Sequence, residues 1–554
     1  CFYWASVAQC ESNVAHMRAT CPASCGLCAD VERVAVAPDG TASDVGPQLT
    51  MVDGASANVR RVPLGITDTI VTVEAGSAHL VILTAGGTVY TWGDNRAGQL
   101  GHAARASRAP FTERPFRRVG LYTGGNPAPV VAIGAGHMHS AAVLGDGGLV
   151  MWGDNGSGQC GVFPEATRVD AAPAELDALD AASATPMRVP IPAKVSAVSC
   201  GETHTLALAS DGRLWGFGDN SCGQLGHVTE HAIVAPSRVP LSLAPNETVV
   251  SARAGAFHSL ALTSEGRLVV FGDNSYGQLG DERAGFVHSL LTGSEELVED
   301  EFEAELASAA SPTDLVLPLH AGEGIESVAT WAFHSAAITT RGRLLVWGDN
   351  SYGQVGAEPT NRSSVGESER SSPLGPAHAH FVTDVALGEY HTLALTNGSE
   401  LLSFGFNERA TLGRMRGVLW DAVPSPAELP LSSEGEAITK VASGAFFSAA
   451  ATSAGHVYAW GELPAGAYAL DGGGGGEAEP VHTGGRHVHD VCLGGYHTLA
   501  LADGDGEFDV IFSWGENAVG QLGRASDGDV DSDFARLELP RTKRATRKRD
   551  VYPA

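Results

Sequence analysis

AGAFHSLALTSEGRLVVFGDNSYGQLG, residues 254–280, decides the fold, because most of the chain is this stretch again. Inside it, Leu260 and Leu262 share one face of an extended segment, and Leu268 and Val270 share a face of the next, the period-two spacing of β-strands. Ser264-Glu265-Gly266-Arg267 joins the two as a hairpin, with Gly266 supplying the positive φ that a tight turn demands. Asp273-Asn274 and Gly277-x-x-Gly280 form a second turn cluster after Phe271.

The pattern is usually a Gly-x-x-His-Ser/Thr opening, then a hairpin, a Trp/Phe-Gly pair and often a Gly-Gln-Leu-Gly exit. It occurs eight times, at 75–101, 135–161, 200–226, 254–280, 330–356, 387–413, from Ser443, and at 494–523. The aromatic before the central glycine is Trp92, Trp152, Phe217, Phe271, Trp347, Phe404, Trp460 and Trp514 in turn. Intervals from 54 to 76 residues are long for a solenoid turn and right for a four-stranded blade. No single unit can hide its apolar face, so the units must pack face to face. Between units a short phrase with proline recurs, as in Arg188-Val189-Pro190 and Arg238-Val239-Pro240-Leu241, which suits an outer strand needing no ladder donor. The fold class expected is all-β, a β-propeller. Val62-Pro63-Leu64 and Leu537-Glu538-Leu539-Pro540 compete as the strand that completes the last blade.

These motifs resemble the regulator of chromosome condensation repeat family over 58–540. The resemblance implies seven blades as the usual number, so eight signatures mean eight blades, or seven with one unit displaced. The seventh unit, with Phe447 for histidine and the glycine run 472–476 in place of the exit, is the candidate for displacement. The resemblance implies a scaffold that binds a protein partner through loops of one face or, alternatively, guanine-nucleotide exchange on a small GTPase. Light sensing, known in a plant UV-B photoreceptor of this kind, needs tryptophan two places before the repeat histidine. Those positions hold Ser77, His137, Glu202, Ala256 and Glu389, and Trp331 replaces the glycine itself.

Composition narrows the partner. Of 554 residues 69 are Gly, and 64 acids against 35 Lys plus Arg leave a formal charge of -29. An acidic body repels phosphates, so nucleic acid is not expected as its partner. No apolar run approaches the ~20 residues of a membrane span. The chain starts at Cys1 with no visible signal peptide, which reads as a mature chain or a fragment.

Five of the nine cysteines fall within 1–28, a segment too short to bury a core, so stapling is expected. Cys1, Trp4-Ala5, Cys10, Asn13, Met17, Cys21, Ser24-Cys25 and Cys28 resemble a ShKT domain that lacks its first cysteine. That resemblance implies disulfides Cys1–Cys21 and Cys10–Cys25. Arg18-Ala19 stand where channel-blocking members carry Lys-Tyr, so channel blockade is not expected. The domain organisation is then 1–28 disulfide module, 29–57 linker, 58–540 propeller with insertions at 162–189 and 281–320, and 541–554 basic tail. The first insertion holds an Ala-rich helix at 173–185. The second holds an acidic amphipathic one, with Val298, Phe302 and Leu306 on one stripe. Disulfides place the chain in the secretory pathway or outside the cell; the tail RTKRATRKR at 541–549 leaves cytoplasm or nucleus as the alternative.

His79, His139, His204, His258, His334, His391 and His497 invite a catalytic or metal reading. One per unit at the same place means they are spread, not converged, and blade construction is expected instead. Trp92, Trp152, Trp347, Trp460 and Trp514 belong to the same construction, and Asp94, Asp154, Asp219, Asp273 and Asp349 are turn-formers. The run from Asp503 to Asp509 has the alternating oxygens of a calcium loop but lacks its distal Glu. Cys160, Cys200, Cys222 and Cys492 read as inert thiols, and Asn155, Asn246, Asn361 and Asn397 begin glycosylation triplets if the chain is secreted. No phosphate loop or nucleophile elbow occurs, and no catalytic residue, metal or cofactor is expected. Departures from the repeat, Trp331, Phe406 and Phe447 with the glycine run and the acidic insert, are the candidate binding positions.

Thiol counting by mass, with and without reductant, checks the compartment. Two closed disulfides are expected; nine free thiols would overturn the secretory reading.

Overall fold

A computed structural model of the chain describes residues 68–101, 117–119, 128–162, 185–227, 233–280, 311–359, 381–408, 410–414, 418–431, 435–461, 479–481, 483–504, 509–516, 522 and 530–531. All lie in the compact unit Ala57–Ala554. The ShKT-like module, the linker, both proline phrases proposed to complete the last blade, the glycine run and the basic tail lie outside them. So do the two expected helices, 173–185 and 294–311, but for Thr185 and Ser311.

Regular structure among the described residues is entirely strand, and no helix there is long and apolar enough to cross a membrane. The strands form eight small antiparallel sheets, each a simple meander, one per repeat. Sheet four runs Val249–Ala254, His258–Thr263, Leu268–Gly272 and Thr313–Leu315. Its hairpin pairs Leu262 with Leu268 and His258 with Gly272, and Gly266 turns at φ 76°. The fourth strands Met187–Arg188 and Thr313–Leu315 fall inside the stretches 162–189 and 281–320 marked as insertions, so the inserted residues end before them. Pro236 and Pro480 sit in fourth strands, where no further ladder donor is needed.

The second strand is buried along its whole length in every sheet. Alternation therefore divides its side chains between two neighbouring sheets and not between core and water. In sheet four, Leu260, Leu268 and Val270 pack with Val328, Ala337, Leu345 and Trp347 of sheet five. Ala261, Val269 and Phe271 pack with Leu206, Leu208 and Leu214 of sheet three. Eight such seams exist, and one joins Leu499, Leu501 and Ile511 of sheet eight to Ile70, Leu80, Ile82 and Trp92 of sheet one. Truncating a fully buried leucine such as Leu260 would cost about 2–5 kcal/mol.

The repeat histidines tie these seams together. His79 Nε2 meets Ser140 Oγ at 2.9 Å, and the same bond recurs as His139–Thr205, His204–Ser259, His258–Ser335, His334–Thr392 and His391–Ser448. Each hydroxyl donates onward to a backbone carbonyl, of Gln99, Gln159, Gln224, Gln278, Gln354 or Thr411, so the imidazole Nε2–H must be the donor to it. Trp152, Trp347 and Trp460 add an indole N–H to three of those carbonyls. The opening glycine makes room: a Cβ on Gly76, Gly136, Gly201, Gly255, Gly388 or Gly494 would lie 2.1–2.6 Å from the imidazole Cε1. At Trp331, which has no such room, the turn's amide reaches the His334 carbonyl at 3.2 Å, against 2.9 Å at Gly76 and Gly388.

The relay fails on both sides of sheet eight. Phe447 stands where sheet seven would carry histidine, so Thr498 Oγ1 is buried with no partner. Leu80 stands where sheet one would carry a hydroxyl, so His497 Nε2 is buried with no partner, while its Nδ1 is unpartnered as in the other six histidines. One substitution should then have opposite results at equivalent positions. Thr205→Val or Thr392→Val removes a bridging hydroxyl and should cost about 1–3 kcal/mol, whereas Thr498→Val should be neutral or stabilising. Denaturant midpoints decide it, and an equal loss at all three positions contradicts the relay.

Candidate interaction face

Each sheet has two ends. The opening turn and the turn after the third strand share one end, because the amide of Asp94, Asp154, Asp219, Asp273 or Asp349 donates to the carbonyl just before the repeat histidine at 2.8–2.9 Å. The hairpin lies at the other end. Opening turns of successive sheets also touch, with His137 N reaching Gly201 O at 3.2 Å and Gly495 N reaching Ser77 O at 3.2 Å. The opening turns therefore present one common face.

The loop aspartates on this face are turn-formers. Asp273 Oδ1 accepts from Ser275 N and Oγ, and its Oδ2 accepts from Gln278 Nε2 at 2.8 Å. Asn274 Oδ1 accepts from Leu279 N. Asp154, Asp219 and Asp349 repeat the bond to glutamine, which explains the Gly-Gln pair of the motif.

Aromatic side chains collect on half of the face. The residue before the repeat histidine is Ala78, Met138 and Thr203 in the first three sheets, then Phe257, Phe333, Tyr390, Phe446 and Tyr496 in the last five. Tyr276 and Tyr352 come from the loops of sheets four and five. Tyr276 meets Phe333 at 4.9 Å between ring centroids, Tyr352 meets Tyr390 at 5.3 Å and Phe406 at 5.0 Å, and Phe406 meets Phe446 at 5.9 Å. Phe333, Phe406 and Phe446 are buried beneath, while Tyr276 is 38% exposed and Tyr352 and Tyr390 are half-buried. Of the three sequence candidates only Phe406 belongs to this cluster. Trp331 is half-buried against the seam of sheets five and six. Phe447 lies wholly inside the seam of sheets seven and eight, because the histidine position it fills points at the next sheet and not at solvent.

The two ends differ in charge. At the hairpin end acids are paired: Glu247 with Arg267 at 2.8 Å, Arg267 with Asp314 at 2.6 Å, Glu323 with Arg343 at 2.7 Å and Asp146 with Arg188 at 3.0 Å. Hydrogen bonds from Arg267 hold Glu247 down at about 2. At the aromatic end, Asp273 and Asp349 bond only serine and glutamine donors and their own loop amides, and Glu408 is exposed. Burial raises the phenols of Tyr276 and Tyr352, and the carboxylate of Asp349 beside both adds to it. Burial and then Glu389 push Tyr390 far up. On the other half of the face burial pushes Glu202 up to about 7.

The first strands carry a further charged group, Glu74, Arg253, Asp384, Lys440 and Asp490. Water reaches Glu74, yet protein encloses it closely enough that desolvation pushes its carboxyl up to about 7, against the opposing field of Arg253. Burial pushes the Cys200 and Cys222 thiols up to about 12 and raises Cys160 and Cys492 as well, which leaves no activated nucleophile among these free cysteines. The suspected calcium run brings Asp503 and Asp509 to His489, with ligand atoms within 4.8 Å of one another. Asp509 Oδ2 already accepts the Ile70 amide at 3.1 Å, and Asp505 and Glu507 lie outside the described residues.

Two family models, both described as the regulator of chromosome condensation (RCC1) repeat, match the chain. One matches 86–143, 146–208, 211–262 and 341–395; the other matches 70–99, 130–159, 195–224, 249–278, 325–354 and 438–462, and together they span more than half of it. Ultraviolet-B receptor UVR8 of Arabidopsis thaliana is 29% identical over 419 residues, covering 74% of this chain and 82% of the relative. The mitochondrial RCC1 domain-containing protein RUG3 of the same plant is 30% identical over 341 residues, covering 61% and 67%. Among solved structures, Prp20p of Saccharomyces cerevisiae, described with its binding to Gsp1p and histones, matches with TM-score 0.52 at 19% identity, over 78% of this chain and 92% of that one.

Buried histidines make stability depend on pH. Burial depresses His79 and His204 to about 4 and His139, His258, His334, His391 and His497 to about 3, below the unfolded value of about 6.5. The unfolded chain therefore binds more protons as pH falls through 6.5, and stability drops by up to about 1.4 kcal/mol per pH unit for each histidine. Glu74 and Glu202, raised in the fold, oppose this in the window between about 4.5 and 7. Melting temperature should fall steeply from pH 6.5 to 4; a flat profile there contradicts the neutral relay.

Proposed function

The chain belongs to the regulator of chromosome condensation repeat family, and from that premise we propose that it is a non-enzymatic scaffold that binds another protein through its opening-turn face. The observation that carries this reading is the asymmetry of the two ends. Aromatic rings and the carboxylates Asp273 and Asp349, held by neutral donors, gather at the opening turns of sheets four to seven, while hairpin-end acids such as Glu247 and Glu323 are paired with arginines. Partly exposed tyrosines over buried phenylalanines are the composition of interface anchors.

The same proposal takes the eight sheets as a closed eight-bladed propeller, supported by the apolar seam and the Gly495–Ser77 contact between sheets eight and one. It takes 1–28 as a ShKT-like disulfide module on the linker 29–57, acting in the secretory pathway or outside the cell. A second reading, guanine-nucleotide exchange on a small GTPase, has the fold likeness to Prp20p and its described binding to Gsp1p in its favour.

Variants of the full chain separate these readings. Tyr276→Glu and Glu408→Lys, both on exposed loop positions of the opening-turn face, should abolish partner recovery by cross-linking, while Asp211→Lys at a hairpin leaves it intact. Loss through the hairpin variant alone contradicts the face assignment. Accelerated nucleotide release from a panel of small GTPases would replace the scaffold reading with exchange.

A further inference from the structure

We infer that the aromatic patch on sheets four to seven receives a lysine- or arginine-bearing segment of its protein partner. The inference rests on the reading of the opening-turn face as the docking face and names the chemistry of what docks there.

Three observations converge on a cation. The first is ring geometry. Tyr276 packs on Phe333 at 4.9 Å, and half-buried Tyr352 stands edge-on to Tyr390 at 5.3 Å and to Phe406 at 5.0 Å, so both tyrosines are held by neighbouring rings. Such π faces attract a guanidinium or ammonium within about 6 Å, and rigidity lowers the entropic cost of using them.

The second is the charge at the centre of the patch. The carboxylate of Asp349 acts on the phenols of Tyr276, Tyr352 and Tyr390, and that of Glu408 on Tyr352. Asp349 accepts from Ser351 N and Oγ and from Gln354 Nε2, all neutral donors. Burial raises its carboxyl, and these neutral donors hold the charged form in place.

The third is the distribution of bases. Among the described residues, Arg267, Arg341 and Arg343 of sheets four and five lie at the hairpin end, where Arg267 and Arg343 are paired with acids. Arg414, near the sheet-six loop, is buried and bonded to Asp421. The chain supplies aromatic faces and negative charge together; its hairpin arginines are kept away from them, and Arg253, exposed at the opening-turn end of the first strand of sheet four, sits on a different strand from the tyrosine loops. A basic side chain fits both features at once; an acidic segment would meet repulsion.

Labelled dodecapeptides test this on the full chain by fluorescence anisotropy: a Gly-Ser-Arg repeat, its lysine analogue, its glutamine analogue and its glutamate analogue. The arginine and lysine peptides should bind at least about tenfold more tightly than the glutamine peptide. Tyr276→Ala and Tyr352→Ala should each weaken that binding about three- to tenfold, while Tyr276→Phe, which keeps the π face, and Asp211→Asn at a hairpin stay within about twofold. Unchanged melting temperatures verify that the variants are folded. Glutamine peptide binding as tightly as arginine peptide, with loss on Tyr276→Ala, would overturn the cation while keeping the docking face. Arginine peptide binding that ignores both tyrosine variants, or that falls equally with Asp211→Asn, would overturn the site itself and reduce the effect to general attraction by an acidic chain.

Discussion

Everything in this protein depends on burying both faces of a four-strand meander. A sheet whose second strand is covered on one side only would expose Leu260, Leu268 and Val270 or Ala261, Val269 and Phe271 to water. At roughly 25 cal/mol per Å² of apolar surface, no hydrogen-bond network within one sheet offsets that exposure. Each sheet therefore needs a neighbour on either side, and stability is a property of seams. The histidine–hydroxyl bond adds direction to contacts that would otherwise be non-directional. It uses a neutral imidazole because a charged one could not be buried there.

Once the seams absorb the apolar residues, function is left to the ends of the sheets. The hairpin end holds its charge in internal pairs such as Arg343–Glu323, where burial opposes ionisation of the acid but Thr339 and Arg343 hold it ionised. On sheets four and five the opening-turn end holds Asp273 and Asp349 inside loop networks of serine and glutamine, which fix their position, whereas Asp94 of sheet one is paired with Arg96 at 2.8 Å. The same residue type, aspartate in a turn, is therefore structural in its bonds and interactive in its field.

Much of this was legible in the sequence and some was not. The repeat gives the strands, the hairpin and the turn aspartates, because the spacing of Leu260, Leu262, Gly266 and Asp273 reflects geometry within one unit. The two-sided burial of the second strand was hidden, since alternating and continuous apolar patterns both suit a strand. The aromatic cluster was missed because its members lie in different units and never adjoin in sequence. The available signal was the change from Ala78, Met138 and Thr203 to Phe333, Tyr390 and Phe446 before the repeat histidine. Phe447 stands out in sequence as a candidate binding position because sequence shows that a motif residue has changed and not which way it points. The calcium-like run was read along the chain, whereas His489, from a neighbouring strand, joins Asp503 and Asp509.

Sheet eight stands apart in one respect. Among the described residues, six seams carry the buried histidine–hydroxyl bond that links neighbouring sheets; at the two beside sheet eight that bond is missing, and long amide contacts of 3.2 Å and 3.4 Å cross. Packing fixes separation more firmly than tilt. At the two seams beside His497 and Thr498 the orienting histidine–hydroxyl bond is missing, so close packing carries more of the task of setting tilt there than at the other six.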